Sequence, residues 1–207
     1  MTVVAIDGPA GAGKSTVARA VAERLGFTYL DSGAMYRSVA LAARRQGREP
    51  AEVAPGLRLE LGPGVRLDGV DVTADIRRPE IGEAASQAAA DPRVREAMVA
   101  EQRRLLAQGD WVAEGRDIGT VVAPQADVKV FLDADPAERA RRRAAELGVD
   151  PERVLGELAL RDERDRTRSA SPLRAAPGAV VLDTTGMSVE QVVDRVIALV
   201  KILPLRT

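Results

Sequence analysis

Cysteine and histidine are both missing from the 207 residues, and each absence removes chemistry. Without cysteine there is no disulfide, no thiolate nucleophile and no Cys-held zinc or iron-sulfur centre. Without histidine there is no Ser-His-Asp hydrolysis, no imidazole base and no His-ligated metal, so any metal must be a hard cation on oxygen ligands. Rings are scarce too, with two Phe, two Tyr and one Trp, and the 30 Lys and Arg are balanced by 31 Asp and Glu. So few stacking surfaces and so little net charge argue against nucleic acid as a partner. Lysine occurs only at positions 14, 129 and 201, which leaves 27 of the 30 basic residues as arginine, a planar fork suited to phosphate. The longest apolar run near the start, residues 3–6, is far too short for a signal peptide or a membrane span. A cytoplasmic protein with no membrane partner is therefore expected.

What is present is core-forming: 45% of residues are hydrophobic and 29% charged, at a length that suits one domain or one domain with a large insertion. Residues 2–7 form a short β-branched run ending at a glycine, and residues 14–25 switch to helical spacing with Gly26 as the stop. A second strand is expected at 27–30 and a helix from about 34 to 46. Between 50 and 75, glycine and proline break the pattern, and Asp68-Gly69 between two short alternating pieces signals a two-residue hairpin in an inserted β-ribbon. Helices follow at 79–90 and 92–108, strands at 111–113, 128–132 and 179–182, and helices after Asp135, at 150–168 and after Ser188. Strands alternating with helices predict an α/β fold with a five-stranded parallel sheet covered by helices.

The segment GPAGAGKS at 8–15 matches G-x-x-x-x-G-K-[ST] at every fixed position. Glycines let backbone N–H groups face an anion, the following helix adds partial positive charge, Lys14 reaches the terminal phosphates and Ser15 can ligate Mg²⁺. Gly8, Pro9, Ala10, Gly11, Ala12, Gly13, Lys14, Ser15 and Thr16 are thus the expected ATP site. The guanine-reading N-K-x-D is absent, and no apolar strand ends in the paired acids of a motor ATPase. Instead residues 161–168, RDERDRTR, place Arg161, Arg164, Asp165 and Arg168 on one helical face. In phosphoryl transfer between two anions the protein chiefly positions them and neutralises the moving charge, which suits arginine. A phosphate acceptor, with a second pKa of about 6, also needs no general base.

The blocks AIDGPAGAGKST (5–16), LDSGAMYR (30–37), ASQAAADPRVRE (85–96), AEGRDIGTVV (113–122), KVFLDADPAERARRR (129–143) and RDERDRTRSASPL (161–173) closely resemble those of bacterial cytidylate kinases, P-loop nucleoside monophosphate kinases. The resemblance implies a three-layer P-loop kinase fold, with core at about 1–33 and 110–207, an acceptor-binding insertion at about 34–109 and a helical lid at about 147–168. It implies transfer of the γ-phosphoryl of ATP to CMP or dCMP with Mg²⁺; a monomer is the default expectation. Lys14, Arg116, Arg161 and Arg168 would be catalytic. Ser32, Arg37, Arg116 and Arg168 would hold the acceptor phosphate, Arg161 and Asp165 its sugar, and Ser86, Arg95 and Asp117 the cytosine, whose 4-amino group a carboxylate can accept. Read from residue type alone, Ser86 equally fits helix packing, Ser32 a turn, Arg93 the place of Arg95, and Asp117 a partner for Arg116. A P-loop kinase with a different acceptor is the alternative.

Overall fold

The structure is a computed structural model and describes residues 1–202. In chain order the elements are β1 (Val3–Asp7), α1 (Lys14–Leu25), β2 (Thr28–Asp31), α2 (Ser32–Gln46), α3 (Pro50–Val53), β3 (Leu59–Leu61), β4 (Val65–Leu67), β5 (Val70–Asp71), α4 (Pro79–Ala88), α5 (Pro92–Leu106), β6 (Trp111–Gly115), β7 (Val128–Asp133), α6 (Pro136–Leu147), α7 (Pro151–Thr167), β8 (Val180–Asp183) and α8 (Val189–Lys201). The chain divides into two compact units, one built from Met1–Tyr29 with the chain from Gln108 onward, the other from Leu30–Ala107.

In the first unit the sheet runs β2-β6-β1-β7-β8, with β1 parallel to β6 and β7, and β7 parallel to β8. Every residue of β1 is buried, as expected of a central parallel strand, which reads as a continuous apolar run. Val17, Ala18 and Val21 of α1 and Val192, Val193, Val196 and Ile197 of α8 pack with Val4, Ile6, Val112, Val130 and Leu132 of the sheet. The two points where the chain leaves and re-enters this unit are adjacent: the Thr28 N–H donates to the Asp110 carbonyl at 2.9 Å.

The second unit holds α2 to α5 and an antiparallel ribbon, β3-β4-β5. Asp68 (φ 50°) and Gly69 (φ 80°) both take the left-handed region between β4 and β5, the twist-matched two-residue turn that the Asp-Gly pair predicts. The third strand, β3, and the short α3 carry too little periodicity to be read from sequence.

Helix starts follow local chemistry. Asp31, Asp91, Asp135 and Asp150 accept first-turn N–H groups of α2, α5, α6 and α7, and Ser188 with Gln191 closes a capping box on α8. The Asp31 cap moves the start of α2 to Ser32, two residues earlier than the expected boundary, and β2 ends one residue later. A further element escapes the sequence pattern: after β6 the chain makes a π-helical turn over Ile118–Val122, where the Asp117 carbonyl accepts from Val121 and Val122.

Candidate active site

β1 delivers the chain into the glycine loop with its backbone pressed against neighbours. At Gly8 (φ 152°) a Cβ would lie 2.1 Å from the Leu132 carbonyl oxygen, and at Gly11 (φ 76°) one would lie 2.8 Å from that of Arg139, so only glycine fits at either place. Gly13 turns into α1 in a left-handed conformation with no side-chain cap, and the first turn of α1 holds no acid. Its N–H groups therefore have no carboxylate in front of them, the arrangement an anion requires. Ser15 and Thr16 are exposed there. Lys14 is buried, with Nζ donating to the Pro9 carbonyl at 2.7 Å. Burial pushes its ammonium down to about 7, with the charges of Arg116 and Arg161 adding to the effect and Glu114 opposing it.

Those arginines belong to a second cluster of the same unit. β6 carries the buried Glu114, which accepts from Tyr29 Oη at 2.6 Å, and leads straight to Arg116. Arg116 Nε donates to Asp165 Oδ2 at 2.9 Å, and Arg168 Nη1 to Asp165 Oδ1 at 3.3 Å. Burial pushes the Asp165 carboxyl up, but Arg116, Arg168 and Arg161 outweigh it and hold it below the usual carboxylate range. Arg168 is further fixed by Nε, which donates to the Ser171 carbonyl at 2.6 Å. Beneath Arg116, Asp7 accepts from the N–H groups of Ile118 (2.8 Å) and Gly119 (2.7 Å), which ties the end of β1 to the turn following Asp117. Burial pushes Asp7 up to about 6 in spite of those two bonds.

In the second unit, Asp31 accepts from the Ala34 N–H at 2.7 Å and from Arg37 Nη2 at 2.9 Å. A Cβ on Gly33 would meet Arg37 Nη1 at 2.9 Å, so the glycine of DSGAMYR is what lets that guanidinium lie over the first turn. Ser32 in that turn and Ser86 in α4 are buried. Arg93 and Arg95 differ in burial: Arg93 is exposed and folds back onto its cap Asp91, whereas Arg95 is 3% exposed, donates to the Ala89 carbonyl at 3.3 Å and lies 5.4 Å from the Tyr36 ring centre.

The cytidylate kinase family model matches residues 4–202. The chain belongs to the cytidylate kinase family. It is 51% identical to the cytidylate kinase of Solibacter usitatus (strain Ellin6076), over 96% of this chain and 92% of the relative, and 46% identical to that of Limosilactobacillus reuteri (strain DSM 20016), over 96% and 94%. Among solved structures it resembles shikimate kinase from Bacteroides thetaiotaomicron, with a TM-score of 0.53 and 14% identity over 97% of this chain and 99% of that one. That last likeness concerns the P-loop kinase fold alone.

Four buried charges among the described residues of this cytidylate kinase family member are missing from the site residues expected from sequence: Asp7, Glu114, Arg139 and Asp162. Arg139 Nη1 donates to Asp162 Oδ2 at 2.6 Å and to the Ala10 carbonyl at 3.0 Å. A signal for Asp162 does exist. The buried positions of α7 are Val154, Leu158, Asp162 and Asp165, so two acids continue the apolar stripe of an otherwise solvated helix, where a carboxylate needs a partner.

Proposed function

We propose that the chain transfers the γ-phosphoryl group of ATP to CMP or dCMP, yielding ADP and CDP or dCDP. The observation that carries this reading is electrostatic: the P-loop lysine, Lys14, feels the charges of Arg116, Arg161 and Asp165, so donor loop and arginine cluster form one neighbourhood. The loop N–H groups and Lys14 hold the donor phosphates, and Lys14 exchanges its bond to the Pro9 carbonyl for them. Arg116, Arg161 and Arg168 neutralise the charge on the transferred group in a setting where Asp165 has already fixed the direction of Arg116 and Arg168. Arg116 and Arg168 also take the acceptor phosphate, and Arg161 and Asp165 face its sugar.

The second unit is assigned to the acceptor, with Ser32 and Arg37 on its phosphate and Ser86 and Arg95 on its base. Asp117 of the first unit accepts from the cytosine 4-amino group, which uracil lacks. The hydroxyl of Ser15, open at the start of α1, is an oxygen donor suited to Mg²⁺, an ion that commonly binds through one or two protein groups and substrate phosphates. Held by Ser15 and the phosphates, Mg²⁺ would supply positive charge that lowers the barrier to transfer.

The test is a coupled ADP-release assay with ATP and Mg²⁺ and, in parallel, CMP, dCMP, UMP, AMP or no acceptor, repeated with Asp117→Ala. Turnover stimulated far more by CMP and dCMP than by UMP or AMP, with the gap narrowed in the variant, is the expected result. Equal stimulation by all four monophosphates, or by none, overturns it.

A further inference from the structure

The crown of the P-loop is held from outside the loop by a buried ion pair. Arg139, in the first turns of α6, uses its guanidinium three ways: Nε donates to the Ala134 carbonyl at 3.1 Å, and Nη1 donates both to the Ala10 carbonyl at 3.0 Å and to Asp162 Oδ2 at 2.6 Å. Asp162 returns from α7 to the same residue, where its Oδ1 accepts a long bond from the Ala10 N–H at 3.4 Å. Both polar groups of Ala10 are therefore taken by this pair. Its N–H faces a carboxylate, so a phosphate bound in the loop must be met by other groups. The two side chains are 6% and 4% exposed, and Ala10, Ala140, Ala144, Val154 and Leu158 form an apolar seal beside them.

We infer that Arg139 and Asp162 are positioning residues for ATP: they set the orientation of the Ala10 peptide and, through it, the phosphate-facing loop. A fully buried ion pair is a poor device for stability, since apolar residues of similar volume generally do as well or better. It is a good device for direction, because a rigid guanidinium with three acceptors permits one arrangement. The pair also has a second consequence. Arg161 precedes Asp162 directly, and Asp165 lies one turn on, so fastening Asp162 to the loop sets the register of the arginine face of α7 against Lys14. The loop and the arginine cluster are then mechanically one piece, joined at Ala10.

This inference rests on the P-loop acting as the ATP site, and its first readout is independent of any acceptor. Three proteins are compared with the parent: Asp162→Asn, which keeps the size and removes the charge; Arg139→Lys, which keeps the charge and loses the fork; and the double variant Arg139→Met with Asp162→Leu, which replaces the pair by apolar volume. Each is measured for melting temperature, for affinity to a fluorescent ATP analogue, and for kcat and the KM of ATP and of CMP. The double variant is expected to melt at or above the parent, yet to lose about 10- to 100-fold in ATP affinity or kcat, with a clearly smaller rise in the KM for CMP, which meets the arginine face only through its register. A double variant that melts like the parent and binds and turns over ATP like the parent overturns the proposal, as does a loss shared equally by ATP and CMP. Should the double variant not fold, Asp162→Asn decides: unchanged ATP affinity and kcat overturn the proposal, and an ATP-side loss that Arg139→Lys reproduces supports it. A parent that binds the ATP analogue but shows no CMP-stimulated turnover would refute the assigned reaction and leave the positioning question to the binding arm.

Discussion

Arg116 Nε donates to Asp165 Oδ2 at 2.9 Å, joining the end of β6 to the last turns of α7 across a pair that is 18% and 7% exposed. The carboxylate accepts Arg168 as well, so like charges that would repel are drawn to one side of it. Removing the carboxylate leaves partly buried guanidiniums without their counter-charge. Asp165→Asn is expected to lower stability by about 3 kcal/mol in urea unfolding.

Arg116→Ala tests the other partner. If its guanidinium meets charge that develops on the transferred phosphoryl, kcat falls by about 10²- to 10³-fold, while the circular dichroism spectrum is unchanged. A fall confined to the KM of CMP would restrict Arg116 to binding.

Lys14 is held at about 7 in the nucleotide-free protein, chiefly by burial and then by the Arg116 charge. Phosphates favour the ammonium and raise that value, so at pH 8 ATP binding must bring a proton with it. Titration calorimetry at pH 8 in buffers of different ionisation enthalpy should show net uptake approaching one proton, and Lys14→Met should abolish it. An enthalpy independent of buffer refutes this.

Asp7 titrates in the opposite sense. Its carboxyl is raised from 3.8 to about 6, so between those values the folded protein holds a proton that the unfolded chain has released, and stability falls as pH rises through that window. The loss is on the order of 3 kcal/mol when complete, at about 1.4 kcal/mol per pKa unit. Asp7→Asn should flatten the stability profile between pH 4 and 6, measured as the difference from the parent so that other carboxylates cancel. An unchanged slope would refute it.

Gln102 of α5 is 1% exposed and its Nε2 has no hydrogen-bond partner among the described residues. A buried amide donor without a partner costs about 1–3 kcal/mol. Gln102→Leu should therefore raise the melting temperature, and a lowered one would show that the amide is needed where it lies.

The parts of the molecule that sequence made legible are those governed by neighbours along the chain. Asp68-Gly69 specifies its own turn, Ser188 and Gln191 cap each other, and GPAGAGKS joins a strand to a helix within eight residues. The acceptor roles proposed for Ser32, Arg37, Ser86 and Arg95 come only through resemblance, because nothing in the local sequence distinguishes Arg95 from Arg93, and their difference in burial emerges only once α5 is packed. Arg139, and with it the pairing that Asp162 needs, remained hidden for the same reason. Their pairing depends on how α6 and α7 lie together, and 23 residues of sequence separate them. The π-turn at Ile118–Val122 is held by Asp7 from more than a hundred residues away, so no local pattern announces it.

The single hydrogen bond between Thr28 and Asp110 has a bearing on tolerance to insertion. Because the chain departs from and rejoins the sheet at neighbouring points, whatever is spliced between them adds little closure entropy, which grows only as the logarithm of length. Insertions or exchanges within residues 30–107 should therefore cost the sheet little, since the strands that frame the excursion are already pinned to each other.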